Sequence, residues 1–168
     1  MGKFTNKVAV VTGAGQTAGI TVGNGRATAL LFARHGAKLM LVDRDDASVK
    51  ETAELIKSEG GECLIHAMDV TDARACLEMI KICQAQFGRI DILHNNVGIG
   101  AGDRGVTHLT EESWDRIMDV NLKSMFLTAK YAIPVMREQQ AGVVINISSV
   151  AAIAASSMLA YKTSKAGV

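Results

Sequence analysis

A glycine-rich segment set between a buried-strand run and an amphipathic helical run limits what this chain can fold into more than any other feature. Lys7-Val8-Ala9-Val10-Val11 reads as a strand ending at Thr12-Gly13, and Arg26 to Arg34 has helical periodicity closed by Gly36. Between them runs Thr12-Gly13-Ala14-Gly15-Gln16-Thr17-Ala18-Gly19-Ile20-Thr21-Val22-Gly23-Asn24-Gly25-Arg26. Glycines at such a junction let the backbone turn tightly and approach a pyrophosphate, whose charge is met by free N–H groups and the positive end of the helix dipole. Glycine-rich turns are common, so the context carries the reading. This one follows the first strand, opens a helix, and is answered by Asp43 at the end of the second strand, 18 residues after Gly25. A carboxylate there accepts both ribose hydroxyls of an adenosine and repels a 2′-phosphate, which favours NAD over NADP. Arg44 keeps NADP as the alternative, because a guanidinium beside the ribose pairs with a 2′-phosphate.

The rest of the chain alternates short β-branched runs with longer amphipathic ones. Lys38 to Val42 reads as a second strand, Asp45 to Ser58 as a helix with Val49, Ala53 and Ile56 on one face, and Glu62 to Met68 as a third strand after Gly60-Gly61. Thr71 is the expected cap of the next helix, in which Cys76, Ile80, Cys83 and Phe87 share a core face before Gly88. Ile90 to His94 is a fourth strand, Thr110 caps one long helical region from Glu111 to about Glu138, and Val143 to Ser148 is a fifth strand. This alternation predicts βαβ units and therefore an α/β fold: a doubly wound parallel sheet with helices on both faces, the Rossmann fold. No linker, repeat or low-complexity segment interrupts it, so residues 1–168 are expected to form a single dinucleotide-binding domain.

Composition narrows the partners. Eighteen Lys and Arg against 17 Asp and Glu leave a net charge of +1 with no run of like charge, which gives no electrostatic footprint for nucleic acid or an anionic membrane. No stretch is apolar for long enough to span a bilayer, and Met1 to Lys7 carries no signal-like segment. Cys63, Cys76 and Cys83 are odd in number and lack C-x-x-C spacing, so neither a disulfide framework nor a zinc site is expected, and a reducing cytoplasm is the expected compartment. His35, His66, His94 and His108 have no metal-ligand spacing, and no metal is expected.

Further motifs follow in order. Asp69-Val70 follows the third strand, Asn95-Asn96-Val97-Gly98 ends the fourth, Asn121 interrupts an apolar helical stretch, Asn146-Ile147-Ser148-Ser149-Val150 ends the fifth, and Tyr161 is followed four residues on by Lys165. With Thr12-Gly13, Gly23-Asn24-Gly25 and Asp43, this set resembles the short-chain dehydrogenase/reductase family over essentially all 168 residues. The resemblance implies cofactor contacts at Gly13, Gly15, Gly23, Asn24, Gly25, Asp43, Arg44, Asp69, Val70, Asn95, Gly98, Tyr161 and Lys165. Three departures stand out. The phosphate loop is about six residues longer than the family's usual form, somewhere between Gly15 and Gly23. Ser149, followed by Val150 as in the family, lies 12 residues before Tyr161, one closer than usual, whereas Ser148 has the usual spacing and a different neighbour. Successive strand side chains point to opposite faces, so only one of the two serines is expected to face the nicotinamide, and Ser149 is the expected one. Val97 replaces a smaller family alanine.

The resemblance implies an oxidoreductase that moves a hydride between a nicotinamide cofactor and a secondary alcohol or ketone. Removing hydride from an alcohol carbon requires its hydroxyl proton to leave as well, so a base must lie within hydrogen-bond reach. Tyr161 is the candidate acid/base, with Lys165 on the same helix face favouring its anion and reaching the nicotinamide ribose. Ser149 is expected to orient the substrate oxygen, and Asn121 to anchor a water that links Lys165 to solvent. The alternatives are a non-catalytic nucleotide-binding module or an inactive fragment of such an enzyme. Family members continue beyond the Tyr161 helix, so the last strands and the substrate-closing loop are expected to be missing, with Val143 to Ser148 left as an exposed edge, poor solubility and little activity. The resemblance also implies a homo-oligomer, tetramer or dimer, for a full-length form.

Overall fold

A computed structural model of the chain describes residues 2–17, 19–155 and 157–168. Five parallel strands form one sheet: β1 (Val8–Thr12), β2 (Lys38–Asp43), β3 (Cys63–Ala67), β4 (Ile92–Asn95) and β5 (Val143–Asn146), in the order β3-β2-β1-β4-β5. The interior strands are buried on both faces, which is why their sequences read as continuous apolar runs and not as alternating ones. Alternation still sorts the side chains: Met40 and Val42 join one core, while Leu39 and Leu41 join the other. The first core is closed by Cys76, Met79, Ile80 and Cys83 of α3 (Ala73–Phe87) and by Leu127, Ala132, Val135 and Met136 of α5 (Ser124–Glu138). The second is closed by Ala29 of α1 (Asn24–Arg34) and by Val49, Ala53 and Ile56 of α2 (Asp46–Ser58). The result is the doubly wound α/β architecture expected from the sequence. Strand order reverses direction between β1 and β4, which opens a crevice at their carboxyl ends.

Local chemistry differs from the sequence expectation in three places. Thr71 does not cap α3. Asp72 does, its carboxylate accepting from the amides of Arg74 and Ala75, while the Thr71 hydroxyl and amide both donate to Asp69 Oδ1. The helical region from Glu111 is not one α-helix. After α4 (Glu111–Met118), which Thr110 caps, a π turn spans Asp119–Lys123 before α5 begins. A single π turn leaves the apolar pattern almost unbroken, which hides it from periodicity. Finally, β5 stops at Asn146. Its partner β4 ends at Asn95, opposite Asn146, so the ladder has nothing further to pair with after Ile147 donates to Asn95 O. Ser148 and Ser149 therefore lie beyond the strand, and the alternating-face rule does not govern them. A 3-10 turn at Val150–Ala152 follows, and α6 (Leu159–Ala166) carries Tyr161 and Lys165.

Candidate functional site

A cleft of about 480 Å³ occupies the crevice. One wall is the junction of β1 and α1. Gly13 there has φ +66°, and a Cβ placed on Gly25 would stand 1.8 Å from Gly13 O, so the helix begins directly against the turn, an approach that only glycine permits. The amides of Asn24, Gly25 and Arg26 have no acceptor four residues back, which leaves α1 with a donor-rich end facing the cleft. Asp43, at the end of β2, accepts from Gly15 N at 2.9 Å through Oδ2 and from Asp45 N at 3.1 Å through Oδ1, with Arg44 beside it on the cleft wall. Asp69 and Val70, following β3, line the same cleft, as does Gly98.

Of the residues expected to contact a cofactor, Gly13, Gly15, Gly23, Asn24, Gly25, Asp43, Arg44, Asp69, Val70 and Gly98 converge on this wall. Asn95 does not. It is buried, its amide donating to Asn146 Oδ1 and its Oδ1 accepting from Thr128 Oγ1, while the neighbouring Asn96 lines the cleft. The side chain of Asn96 also bonds Gly13 O, and its amide donates to Thr12 Oγ1, so it ties β4 to the glycine turn.

The second group lies past Gly98. Lys165 is 3% exposed, and its Nζ donates to Ile147 O at 2.8 Å and Val97 O at 3.5 Å. No ion pair to it is present among the described residues, and burial holds its ammonium below the usual lysine value. A Cβ on Gly98 would stand 3.0 Å from Nζ, so Gly98, which lines the cleft, lies against the ammonium, while Lys165 and Tyr161 are not themselves part of the cleft lining. Tyr161 lies one turn earlier on α6, half-buried, its ring beside Gly100. Asn121, in the π turn, is fully buried and links three elements: Oδ1 accepts from Ile99 N at 2.7 Å, and Nδ2 donates to Ile99 O at 2.9 Å and Ser164 Oγ at 3.0 Å. The start of α6 is held from the loop after β4 by buried Asp103, whose oxygens accept from Ala160 N and Tyr161 N. Nothing local in the sequence pairs Asp103 with residues almost sixty positions away.

The two serines differ in what they already bond. Ser148 Oγ donates to Lys165 O at 2.5 Å, whereas Ser149 Oγ accepts from Ala151 N at 3.2 Å and keeps its own proton for another acceptor. Among the described residues Ser149 makes no hydrogen bond to Tyr161 or Lys165. Among the described residues no group of three or more His, Cys, Asp or Glu is arranged to hold a metal, and no helix is long and apolar enough to cross a membrane.

A sequence model described as short chain dehydrogenase matches residues 7–168. An uncharacterized oxidoreductase of Thermotoga maritima is 41% identical over 150 residues, covering 89% of this chain and 56% of that protein. The crystal structure of a short-chain dehydrogenase/reductase family protein from Burkholderia xenovorans superposes with TM-score 0.94 at 40% identity, over 99% of this chain and 66% of that one. NAD+-bound xylitol dehydrogenase superposes with TM-score 0.90 at 30% identity, over 98% and 62%. The chain thus spans between a little over half and two thirds of the length of these proteins.

Proposed function

The chain belongs to the short-chain dehydrogenase family, and from that premise we propose that it is an oxidoreductase that passes a hydride between NAD and a secondary alcohol or ketone, with Tyr161 as the acid/base. The observation that carries the reading is continuity. One cleft joins a donor-rich helix end and an Asp43 carboxylate to Gly98, and the ammonium of Lys165 packs against that glycine. The donors fit a dinucleotide: first-turn amides of α1 for a pyrophosphate, Asp43 for the adenosine ribose, and Lys165 for the second ribose. Bound there, a nicotinamide dinucleotide supplies the hydride acceptor for oxidation or the hydride donor for reduction. NAD-bound xylitol dehydrogenase among the similar structures supports that choice, and Asp43 favours NAD over NADP. We read residues 1–168 as a single unit built around this cleft.

In this mechanism Tyr161 as the phenolate takes the proton from an alcohol oxygen as hydride leaves its carbon, and as the phenol it returns that proton in the reverse direction. Lys165 sits one turn on along the same face of α6 and favours the tyrosinate. Ser149, whose hydroxyl proton is uncommitted, donates to the substrate oxygen; Ser148 is engaged with the Lys165 carbonyl and is not available for that. Asn121 fixes α6 against the loop after β4, next to Lys165. The test is NAD reduction over a panel of sugars, cyclic alcohols, hydroxysteroids and β-hydroxyacyl thioesters, with Tyr161→Phe as the critical variant. Loss of at least about a hundredfold in rate is expected. Unchanged oxidation by Tyr161→Phe would refute the acid/base role, and NAD binding without turnover on any alcohol would mark a nucleotide-binding module or an inactive fragment instead.

A further inference from the structure

The glycine loop is longer than the fold needs, and the structure locates the surplus. Gln16 and Gly23 are seven residues apart, yet Gln16 Oε1 accepts from Gly23 N at 2.8 Å. The same side chain donates through Nε2 to Thr17 O at 2.7 Å and Thr21 O at 2.9 Å. Three of the four hydrogen-bonding sites of one planar amide, both donors among them, therefore engage the base of an excursion over residues 17–22, of which Ala18 lies outside the described residues. The backbone of Gln16 is anchored in turn: its amide donates to Ser48 Oγ at 2.5 Å, and Ser48 Oγ donates to Gln16 O at 3.0 Å. Ser48 is buried in the first turn of α2. Ile20 and Val22 are exposed, so these two apolar side chains hold the excursion by no core packing.

We propose that Gln16 is a positioning residue that clamps the base of this excursion, so that the first-turn amides of α1, from Asn24 and Gly25, meet a pyrophosphate as they would after an uninterrupted loop. The inference rests on the dinucleotide reading of the cleft. A glutamine suits the task because the stem offers one donor, Gly23 N–H, and two acceptors, the carbonyls of Thr17 and Thr21. A carboxylate would lack the donors, and an asparagine would be one methylene short.

The experiment is calorimetric titration of NAD into four forms of the chain: wild type, Gln16→Ala, a deletion of residues 17–22, and the deletion combined with Gln16→Ala. Gln16→Ala in the uncut chain should weaken NAD binding by about tenfold or more, because the three bonds that hold the loop in its binding geometry are gone. The deletion form should bind NAD about as well as wild type, and there Gln16→Ala should change affinity by less than about twofold, since no excursion remains to clamp. Amide exchange gives a second readout: Gly23 N–H should exchange faster in Gln16→Ala, with amides of the β1 core unchanged. Wild-type affinity in uncut Gln16→Ala, or an equal penalty in both backgrounds, overturns the clamp while leaving the dinucleotide reading in place. Absence of NAD binding to the wild-type chain overturns both.

Discussion

Asn121→Ala tests whether the side chain at the centre of the π turn holds the candidate site together. The substitution removes three hydrogen bonds at a fully buried position and leaves both Ile99 N and Ile99 O without their side-chain partner. Ser164 loses one incoming bond and keeps its own donation to Tyr161 O. At about 1 kcal/mol for each bond the loss is about 3 kcal/mol, and the small cavity left behind adds to it. For a chain of this size each kcal/mol lowers Tm by about 2–4 °C, so a fall of about 6–12 °C is expected in thermal unfolding followed by far-ultraviolet circular dichroism. A double-mutant cycle with Ser164→Ala should return a coupling of about 0.5–1.5 kcal/mol, because the two side chains bond directly. A fall in Tm below about 2 °C, or additive effects in the cycle, would refute the account, since water would then be standing in for the lost bonds at no cost.

Asp43→Ala should raise NADP affinity relative to NAD by about tenfold or more, read by calorimetry, because the carboxylate that repels a 2′-phosphate is gone while Arg44 remains. Lys165→Met should abolish turnover yet melt no lower than wild type, since it replaces a buried ammonium that has carbonyl partners and no ion pair. Burial lowers the Lys165 pKa, so between its folded value and the ordinary lysine value the unfolded chain binds more protons and stability rises with pH. Urea titrations stepped through that alkaline window should show the rise in wild type and less of it in Lys165→Met. Desolvation pushes the Cys83 thiol up to about 12 and the Cys76 thiol up to about 11, so a thiol reagent at about pH 8 should label neither in the folded chain and both in denaturant.

What could be read from the sequence was set by how local the governing physics is. β1 and β2 were legible because burial on both faces imposes apolar runs, and the α3 core face because Cys76, Ile80 and Cys83 repeat at helical spacing. Thr71 and Asp72 are both capping types, so residue type does not choose between them, and only three-dimensional geometry assigns Thr71 to Asp69. The end of the fifth strand is decided by where β4 stops, not by Ile147 or Ser148 themselves, so the sequence run overstates its length. The glycine turn and Asp43 were legible as residues that share one wall, whereas Gln16 and Asp103 were not. Their partners follow from the way the loops fold back, and neither residue type signals that alone.

The π turn at Asp119–Lys123 also sets the relative phase of the two helices it joins. α4 packs against α6, which bears Tyr161 and Lys165, while α5 packs against α3 and presents Leu127, Ala132, Val135 and Met136 to the sheet core. A continuous α-helix would lock these two faces to one another, because each residue advances the direction by about 100°. The wider turn uncouples them, so one helix is oriented by the sheet core and the other by α6. Were residues 119–123 wound as ordinary α-helix at the same chain length, α4 would turn by about 100°, one residue's advance, relative to α5. The core under α5 would survive, and the seat of α6 would not.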